Sequence, residues 1–428
     1  MATRVLKTTF TASHEDIDRL FECNRTSATV WNTTLQLSKN FAIANDGKWI
    51  SKGELYASLK NQFPLHSQSV QMVADKYLDA RDSAHSAILK GFPNKYPWRE
   101  KKNFNTQWKD QAFRLDFEKR ELTLSLGVWE GRRQKGIVAV LPKKTIAKLR
   151  KIFTNNKDAV SQIELCYDNG LVLAITYTVA EKPSLERQPM TTPTTRKALV
   201  GVDLGEIHSI TACSSTGESV IVTGRKLRSV HRLRNKLMSR LTKAQSKCTK
   251  GSRRWKKLQR KKRFILSKSK HQVESKTHEI TKNFVDWCVK NGVRKVFCGD
   301  PEGVQRGTSG RKKKNRSTAK GRKKIRKRKV SQKLSNWNFG VVKKYLRYKL
   351  QARGIEFEVI GEAYTSQTCP NCGQRHKPSN RNYRCFCGYE AHRDVVGAHN
   401  ILALGKLGRF EKICDFETRR PKYLRLTA

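Results

Sequence analysis

Acidic side chains are scarce in this 428-residue chain: 36 Asp and Glu stand against 89 Lys and Arg, a formal net charge of +53. Such an excess does not help a compact fold, because like charges repel; it is offset when phosphates lie along the surface and release condensed counterions. The blander reading is a basic protein that neutralises rRNA or an anionic lipid surface without chemistry. Long apolar runs are also missing, and with no stretch of 18 apolar residues a membrane-spanning helix is excluded. The opening MATRVLKTTFTAS lacks the apolar core of a secretory signal. Of 11 cysteines, four crowd into residues 369–387 and the rest are scattered. That usage fits a reducing compartment with one metal site and argues against a disulfide framework. What is present suffices for real cores: 37% hydrophobic residues, with Trp31, Trp108, Trp129 and Trp287. The length predicts about two to four domains.

Residues 2–12 alternate as a strand. From Glu15 to about Leu89 the period becomes helical, with Leu20, Cys23, Ala28, Trp31, Leu35 and Leu37 on one helix and Val70, Val73, Tyr77 and Ala80 on another. Residues 107–180 read as hairpins with polar turns. A linker rich in Pro, Thr and charge follows, and then KALVGVDLGEIHSITACSSTGESVIVTG, which reads as two strands with polar turns. Between Ser219 and Val273 there is no acid, yet 17 Lys and Arg fall from Arg232 to Lys270. Leu233, Leu237, Leu241, Trp255, Leu258 and Phe264 recur at helical intervals there, predicting a basic helical hairpin with an apolar seam toward its domain. Its Arg232, Arg234, Lys236, Arg253, Arg254, Lys256 and Lys257 are expected to face phosphate. A second acid-free run, 303–355, contains 15 Lys and Arg from Arg306 to Lys333. The stretch Arg306–Lys333 includes Arg322, Lys323, Lys324, Arg326, Lys327 and Arg328, and Ile325 is its one aliphatic side chain of consequence. It cannot build a core and is expected to order against nucleic acid.

Carboxylates fall at strand ends and at a helix start. Asp203 ends the strand ALVGVD, and Asp394 opens a helix in HRDVVGAHNILALG. For a third position, VRKVFCGD ends in Gly299-Asp300 with Glu302 beyond, and IEFEVIGEAYTS places Glu362 after a second strand. Such carboxylates can hold two Mg²⁺ about 3.5–4 Å apart, one activating water and one stabilising the leaving oxygen of a phosphodiester. Mg²⁺ suits hard oxygen ligands. Between Glu362 and Asp394 lie Cys369-Pro-Asn-Cys372 and Cys385-Phe-Cys387. Two close pairs of thiols read as one structural, tetrahedral Zn²⁺ whose ligands are all protein.

These residues resemble the transposon-encoded TnpB family, relatives of type V CRISPR nucleases. VGVDLG at 200–205, AYTSQTCPNCG at 363–373 and YRCFCGYEAHRDVVGAHNI at 383–401 carry the resemblance. It implies a multidomain α/β protein: a ribonuclease-H-like (RuvC) nuclease domain with an inserted zinc knuckle, preceded by a small β-barrel-like domain with a helical insertion. The expected division is a wedge-like β-domain (1–13 and 100–185), a helical recognition insert (14–99), a linker (186–196), the nuclease domain (197–361 and 394–410), a zinc-binding target-nucleic-acid domain (362–393) and a tail (411–428). The nuclease domain would carry the basic hairpin 226–270 and the basic segment 305–335. The activity implied is Mg²⁺-dependent, RNA-guided cleavage of DNA after recognition of a short target-adjacent motif. The implied partners are a guide RNA encoded near the gene and a double-stranded DNA target, met by a monomer with one RNA and no membrane. The implied setting is a prokaryotic, nucleoid-associated cytoplasmic protein of a transposable element.

The resemblance places the first and last catalytic aspartates at Asp203 and Asp394. The family's second strand usually ends in Glu-Asp, where this chain has Gly299-Asp300. Asp300 or Glu302 substitutes, Glu362 substitutes, or the nuclease is inactive; Glu362 is the expected third member because relocated glutamates just before the TSxxC segment occur in the wider family. An inactive RNA-guided DNA binder and a small CRISPR-associated effector are the alternatives. A DNA-strand transferase is disfavoured, since no isolated His-hydrophobe-His pair with a following Tyr is present.

Overall fold

The computed structural model describes residues 2–155, 160–179, 197–301, 336–378, 380–416 and 420–426. They belong to two compact units, Met1–Glu181 and Lys182–Ala428. The expected linker 186–196 and basic segment 305–335 lie outside the described residues, as does Glu302.

In the first unit β1 (Ala2–Thr8) leads into α1 (His14–Ala44), α2 (Lys52–Leu59) and α3 (Ser67–Leu89). Ser13 caps α1 by accepting from the Asp16 amide, and Glu15 and Asp16 in the first turn favour the positive end of the helix dipole. Ser51 and Glu54 form a reciprocal capping box on α2, a short helix that apolar period alone does not announce. Leu20, Trp31 and Leu35 of α1 join Leu55, Val73 and Tyr77 in one core. Strands β2 (Gln107–Lys109), β3 (Phe113–Asp116), β4 (Glu121–Leu124), β5 (Val128–Trp129), β6 (Arg132–Arg133) and β7 (Ile137–Val140) follow. Next come α4 (Lys143–Asn155), β8 (Val160–Tyr167) and β9 (Leu171–Val179). The antiparallel sheet β1-β9-β8-β2 and the sheet β3-β4-β7 share that core. The hairpin reading of 107–180 overlooked α4, where Ile146, Leu149 and Ile152, spaced by three, lay one face on the core.

The second unit is built on a six-stranded sheet. Its elements are β10 (Ala198–Asp203), β11 (His208–Ser214), β12 (Ser219–Thr223), α5 (Arg225–Gln245), α6 (Arg253–Lys290) and β13 (Val293–Asp300). They continue as α7 (Phe339–Gln351), β14 (Glu356–Gly361), β15 (Asn382–Arg384), β16 (Glu390–His392), α8 (Arg393–Leu407) and β17 (Lys422–Leu424). Strand order is β14-β13-β10-β11-β12-β17. β10 runs parallel to β13 and antiparallel to β11, and β13 runs parallel to β14. Three strands occupy 198–223 where two were expected. The segment expected as a tail supplies β17, parallel to β12, and buries Phe416 and Leu426.

Alternation along the strands assigns each side chain to a face. Val200, Val202, Val296 and Cys298 pack with Ile280 and Phe284 of α6 and Leu346 and Leu350 of α7. Leu199, Phe297 and Ile360 point the other way, to Ile401 and Leu402 of α8. Phe284 is fully buried, so Phe284→Ala would cost about 3–5 kcal/mol. α6 changes character along its length: Val273, Ile280, Phe284, Val285 and Trp287 are buried, whereas Arg253, Arg254, Lys256 and Lys257 are exposed.

Candidate functional site

The face parity that builds the core also sorts the carboxylates. Asp203 closes β10 on the face of Gly201, the one toward α8. A Cβ on Gly201 would stand 2.1 Å from the Ala398 carbonyl oxygen and 2.4 Å from the Leu402 nitrogen, so only glycine lets α8 lie this close. The approach carries the α8 N-terminus to the end of β10. Asp203 Oδ2 is 3.1 Å from where a Cβ on Gly397 would be, and Asp394 is in the first turn of the same helix.

Glu362 follows β14 by one residue and shares parity with Ile360. A Cβ on Gly299 would meet Glu362 Oε2 at 2.7 Å and Ile401 Cδ1 at 2.7 Å. The missing side chain at 299 therefore makes the space that the Glu362 carboxylate fills. Asp300, one residue on, faces the opposite layer and pairs with Lys343 Nζ of α7 at 2.6 Å.

The three carboxyls sit in unlike electrostatic settings. Burial, and then the charges of Asp394 and Glu362, push Asp203 up to about 8. Burial and the Asp300 carboxylate raise Glu362 to about 7, against an opposing Lys343. Burial would also raise Asp394, but the His208 hydrogen bond and the charges of His392, Arg393 and Arg381 outweigh it and hold the group at about 2. Glu362 Oε2 is buried without a hydrogen-bond partner. Oxygen donors that repel one another and leave one buried oxygen unsatisfied fit a hard divalent cation, whose charge would reverse these shifts.

Two residues of this neighbourhood escaped the sequence reading. His208 opens β11, and its Nδ1 lies 2.8 Å from Asp394 Oδ2. Arg381, ahead of β15, donates to the same oxygen at 3.2 Å. The only signal for His208 was its place one turn after VDLG, which is too common a context to single out.

The four cysteines converge. Cys369 and Cys387 sulfurs are 3.7 Å apart, and those of Cys372 and Cys385 3.5 Å. A tetrahedral ion with metal–sulfur bonds of about 2.3 Å sets adjacent sulfurs about 3.8 Å apart, so the set fits one ion. The β15–β16 hairpin turns through this cluster, with the Cys385 amide donating to the Tyr389 carbonyl at 2.9 Å. A backbone hydrogen bond at Tyr389 lowers Cys387 to about 6, whereas burial pushes Cys369 up to about 12. Asn400 of α8 ties this module to the carboxylates, donating to the Thr365 and Thr368 carbonyls at 2.8 Å each. Those carbonyls lie on the segment joining Glu362 to Cys369.

Among the expected phosphate-facing residues, Arg232, Lys236, Arg253, Arg254, Lys256 and Lys257 are exposed on α5 and α6. Arg234 instead turns inward, half-buried, and donates to Asn336 Oδ1 at 2.5 Å. The expected seam also narrows: Leu233 and Phe264 are 58% and 54% exposed. Arg322, Lys323, Lys324, Arg326, Lys327 and Arg328 lie outside the described residues.

Two stretches of the chain match two family models. Residues 175–305 match a probable transposase family and residues 339–401 a Cas12f1-like TNB domain. A TnpB-like protein of Methanocaldococcus jannaschii is 26% identical over 137 residues, covering 32% of this chain and 44% of that protein. A putative RNA-guided DNA endonuclease, InsQ, of Escherichia coli is 41% identical over 68 residues, covering 15% of this chain and 17% of the relative. The matches thus span less than half the length of these curated relatives. A solved Cas12f1–sgRNA–target DNA complex shares the fold, with TM-score 0.61, 15% identity and coverage of 91% of this chain and 83% of that one. Fold and site define a mixed α/β protein of the Cas12f-like architecture. Within that class, the chain is similar to a TnpB-like protein and to a probable transposase family.

Proposed function

We propose that the protein is an RNA-guided DNA endonuclease of a transposable element, cutting guide-matched DNA with Asp203, Glu362 and Asp394. The observation that carries this reading is the fit of the Glu362 carboxylate into the space left by Gly299, beside the β10 end and the α8 start. The order β14-β13-β10-β11-β12, with β10 central, supports a ribonuclease-H-like (RuvC) sheet. In this reading 362–393 is the zinc-binding target-nucleic-acid domain, 1–13 with 100–185 the wedge-like barrel, and 14–99 the recognition insert that reads a target-adjacent motif. The basic faces of α5 and α6 hold a guide RNA, whose pairing with DNA carries sequence specificity.

Asp203, Glu362 and Asp394 would hold Mg²⁺, and the chemistry supplied there is activation of a water and stabilisation of the leaving oxygen. The close packing of α8 on Gly201 fixes the spacing between Asp203 and Asp394 that such an ion would require. Cys369, Cys372, Cys385 and Cys387 would hold one Zn²⁺ and brace the turn between Glu362 and α8. The test uses protein purified with its co-purifying RNA, which is sequenced to define a matched plasmid. Wild type should cleave that plasmid with Mg²⁺, and Asp203→Asn, Glu362→Gln and Asp394→Asn should bind it uncut. Plasmid retention without cleavage by wild type would favour an inactive RNA-guided binder and overturn the catalytic assignment.

A further inference from the structure

His208 and Arg381 crowd the same oxygen of Asp394. The His208 Nδ1 stands 2.8 Å from Asp394 Oδ2 and 2.9 Å from Arg381 Nη1. A proton on Nδ1 points to the carboxylate, and the guanidinium N–H donates to the same oxygen at 3.2 Å, so two donors hold the oxygen a metal ion would take. Close by, His392 has a buried Nδ1 without a hydrogen-bond partner, and its ring centroid is 5.5 Å from that of His208. One donor atom from each of His208, His392 and Asp394 lies within 4.8 Å of the others. The positive charge in this niche comes from Arg393, 3.4 Å from Asp394 Oδ1, and from Arg381 on Oδ2, whose side chain is 39% exposed.

We propose that His208, His392 and Asp394 form a nitrogen-donor site for a borderline divalent transition metal, with Arg381 as the cation it displaces. Metal–nitrogen and metal–oxygen bonds of about 2.0–2.2 Å put adjacent ligands roughly 2.8–3.5 Å apart, a range the His208–Asp394 pair already meets. His392 keeps a donor atom within 4.8 Å of both. Two imidazoles select zinc-like or cobalt-like ions over Mg²⁺, which takes hard oxygens and keeps its water. Three protein ligands leave a position open to water or to a phosphate oxygen. The site shares Asp394 with the proposed nuclease centre but does not depend on that reading. Because one carboxylate serves both, a transition metal here and Mg²⁺ at the carboxylates compete for it.

The experiment titrates Co²⁺ into full-length protein whose cysteine site is already filled with zinc. The expected result is one further equivalent of Co²⁺ with visible d–d bands and no thiolate charge-transfer absorption. His208→Gln and His392→Gln should each weaken that binding by about 10-fold or more. Arg381→Gln should tighten it, and Asp203→Asn should leave it unchanged while abolishing cleavage. Retained zinc and an unaltered melting temperature show that each variant is folded; His392, at the surface side of the pair, is the safer of the two. Absence of the extra equivalent, or equal Co²⁺ affinity in both histidine variants and wild type, overturns the site. Failure of plasmid cleavage would instead bear on the nuclease reading alone.

Discussion

The cysteine cluster takes all four side chains from residues 369–387: Cys385 and Cys387 from the β15–β16 turn, and Cys369 and Cys372 from a turn closed by the Gly373 amide on the Cys369 carbonyl. The carboxylate cluster gathers Asp203, Glu362 and Asp394 from two strand ends and a helix start, held by sheet register and by the close approach of α8. Asp203 and Glu362 are pushed up in pKa by burial and by neighbouring carboxylates, while Asp394 is held down by His208 and arginines. A local site can persist while its surroundings shift, whereas one built across the fold inherits every error in packing. Asn400 is the joint between them, since its amide holds the turn that carries both Glu362 and Cys369.

The sharpest separation comes from two carboxylates on opposite faces. Glu362→Gln should lower Mg²⁺-dependent cleavage by ~10³-fold or more, the scale of several kcal/mol of metal-borne charge stabilisation. Asp300→Asn, which breaks the Lys343 pair and removes a neighbouring charge from Glu362, should stay within about 10-fold of wild type in the same plasmid assay. Equal losses would show that the two faces are not functionally distinct.

Removing a thiol should break the local site and then the distant one. Cys369→Ser should lose about one equivalent of zinc by elemental analysis and melt at lower temperature, because a structural ion contributes folding energy directly. Cleavage should fall with it. Full activity in zinc-free Cys369→Ser would disconnect the two clusters.

Gly299→Ala should do the converse. The added methyl must displace Glu362 Oε2 or Ile401, and a shift of about 1 Å at a catalytic group costs roughly 10²-fold. Zinc content should be unchanged. Wild-type cleavage would mean that the carboxylate does not need the space.

pH separates the carboxylates from one another. In metal-free protein Asp203 and Glu362 stay protonated where the unfolded chain is already ionised, so the folded state binds more protons between pH about 4 and their raised values near 8 and 7. Their contribution to stability therefore falls as pH rises through that window. Asp394 acts oppositely: its contribution is present above the ordinary carboxylate range and is lost as pH falls toward about 2. Melting of the zinc-filled protein without added Mg²⁺ should fall from pH 5 to pH 8 (about three units), less steeply in Asp203→Asn, and Mg²⁺ should restore the loss at pH 8. A decline as steep in Asp203→Asn as in wild type would remove Asp203 as its source.

The smallest effect tests a surface outside both clusters. Neutralising Arg253, Arg254, Lys256 and Lys257 should flatten the log–log salt dependence of RNA binding by about 0.7–0.9 per lost phosphate contact. Neutralising the inward-turned Arg234 should lower melting temperature more than it changes that slope. An unchanged slope in the fourfold variant would take this end of α6 out of the interface.

Much of this architecture was legible from the chain. The thiol spacing, the charge blocks and the motifs around 200–205 and 363–401 are short-range patterns, and short-range chemistry writes them into sequence. The helical period found α1, α3 and the α5–α6 pair, while α4 was lost among strands because it spans only Lys143–Asn155 and is flanked by β-rich segments. Alternation along 293–300 already put Gly299 and Asp300 on opposite faces, but which face carries the site depends on which helix covers it. That was decided by tertiary structure: Gly201 admits α8 to one face, Lys343 waits on the other, and Glu362 enters the hollow at Gly299. His208, Arg381 and Asn400 became visible for the same reason. Their contacts join separate segments, His208 with Asp394, Arg381 with His208 and Asn400 with Thr365, and no spacing rule reports a contact that only the folded sheet and α8 create.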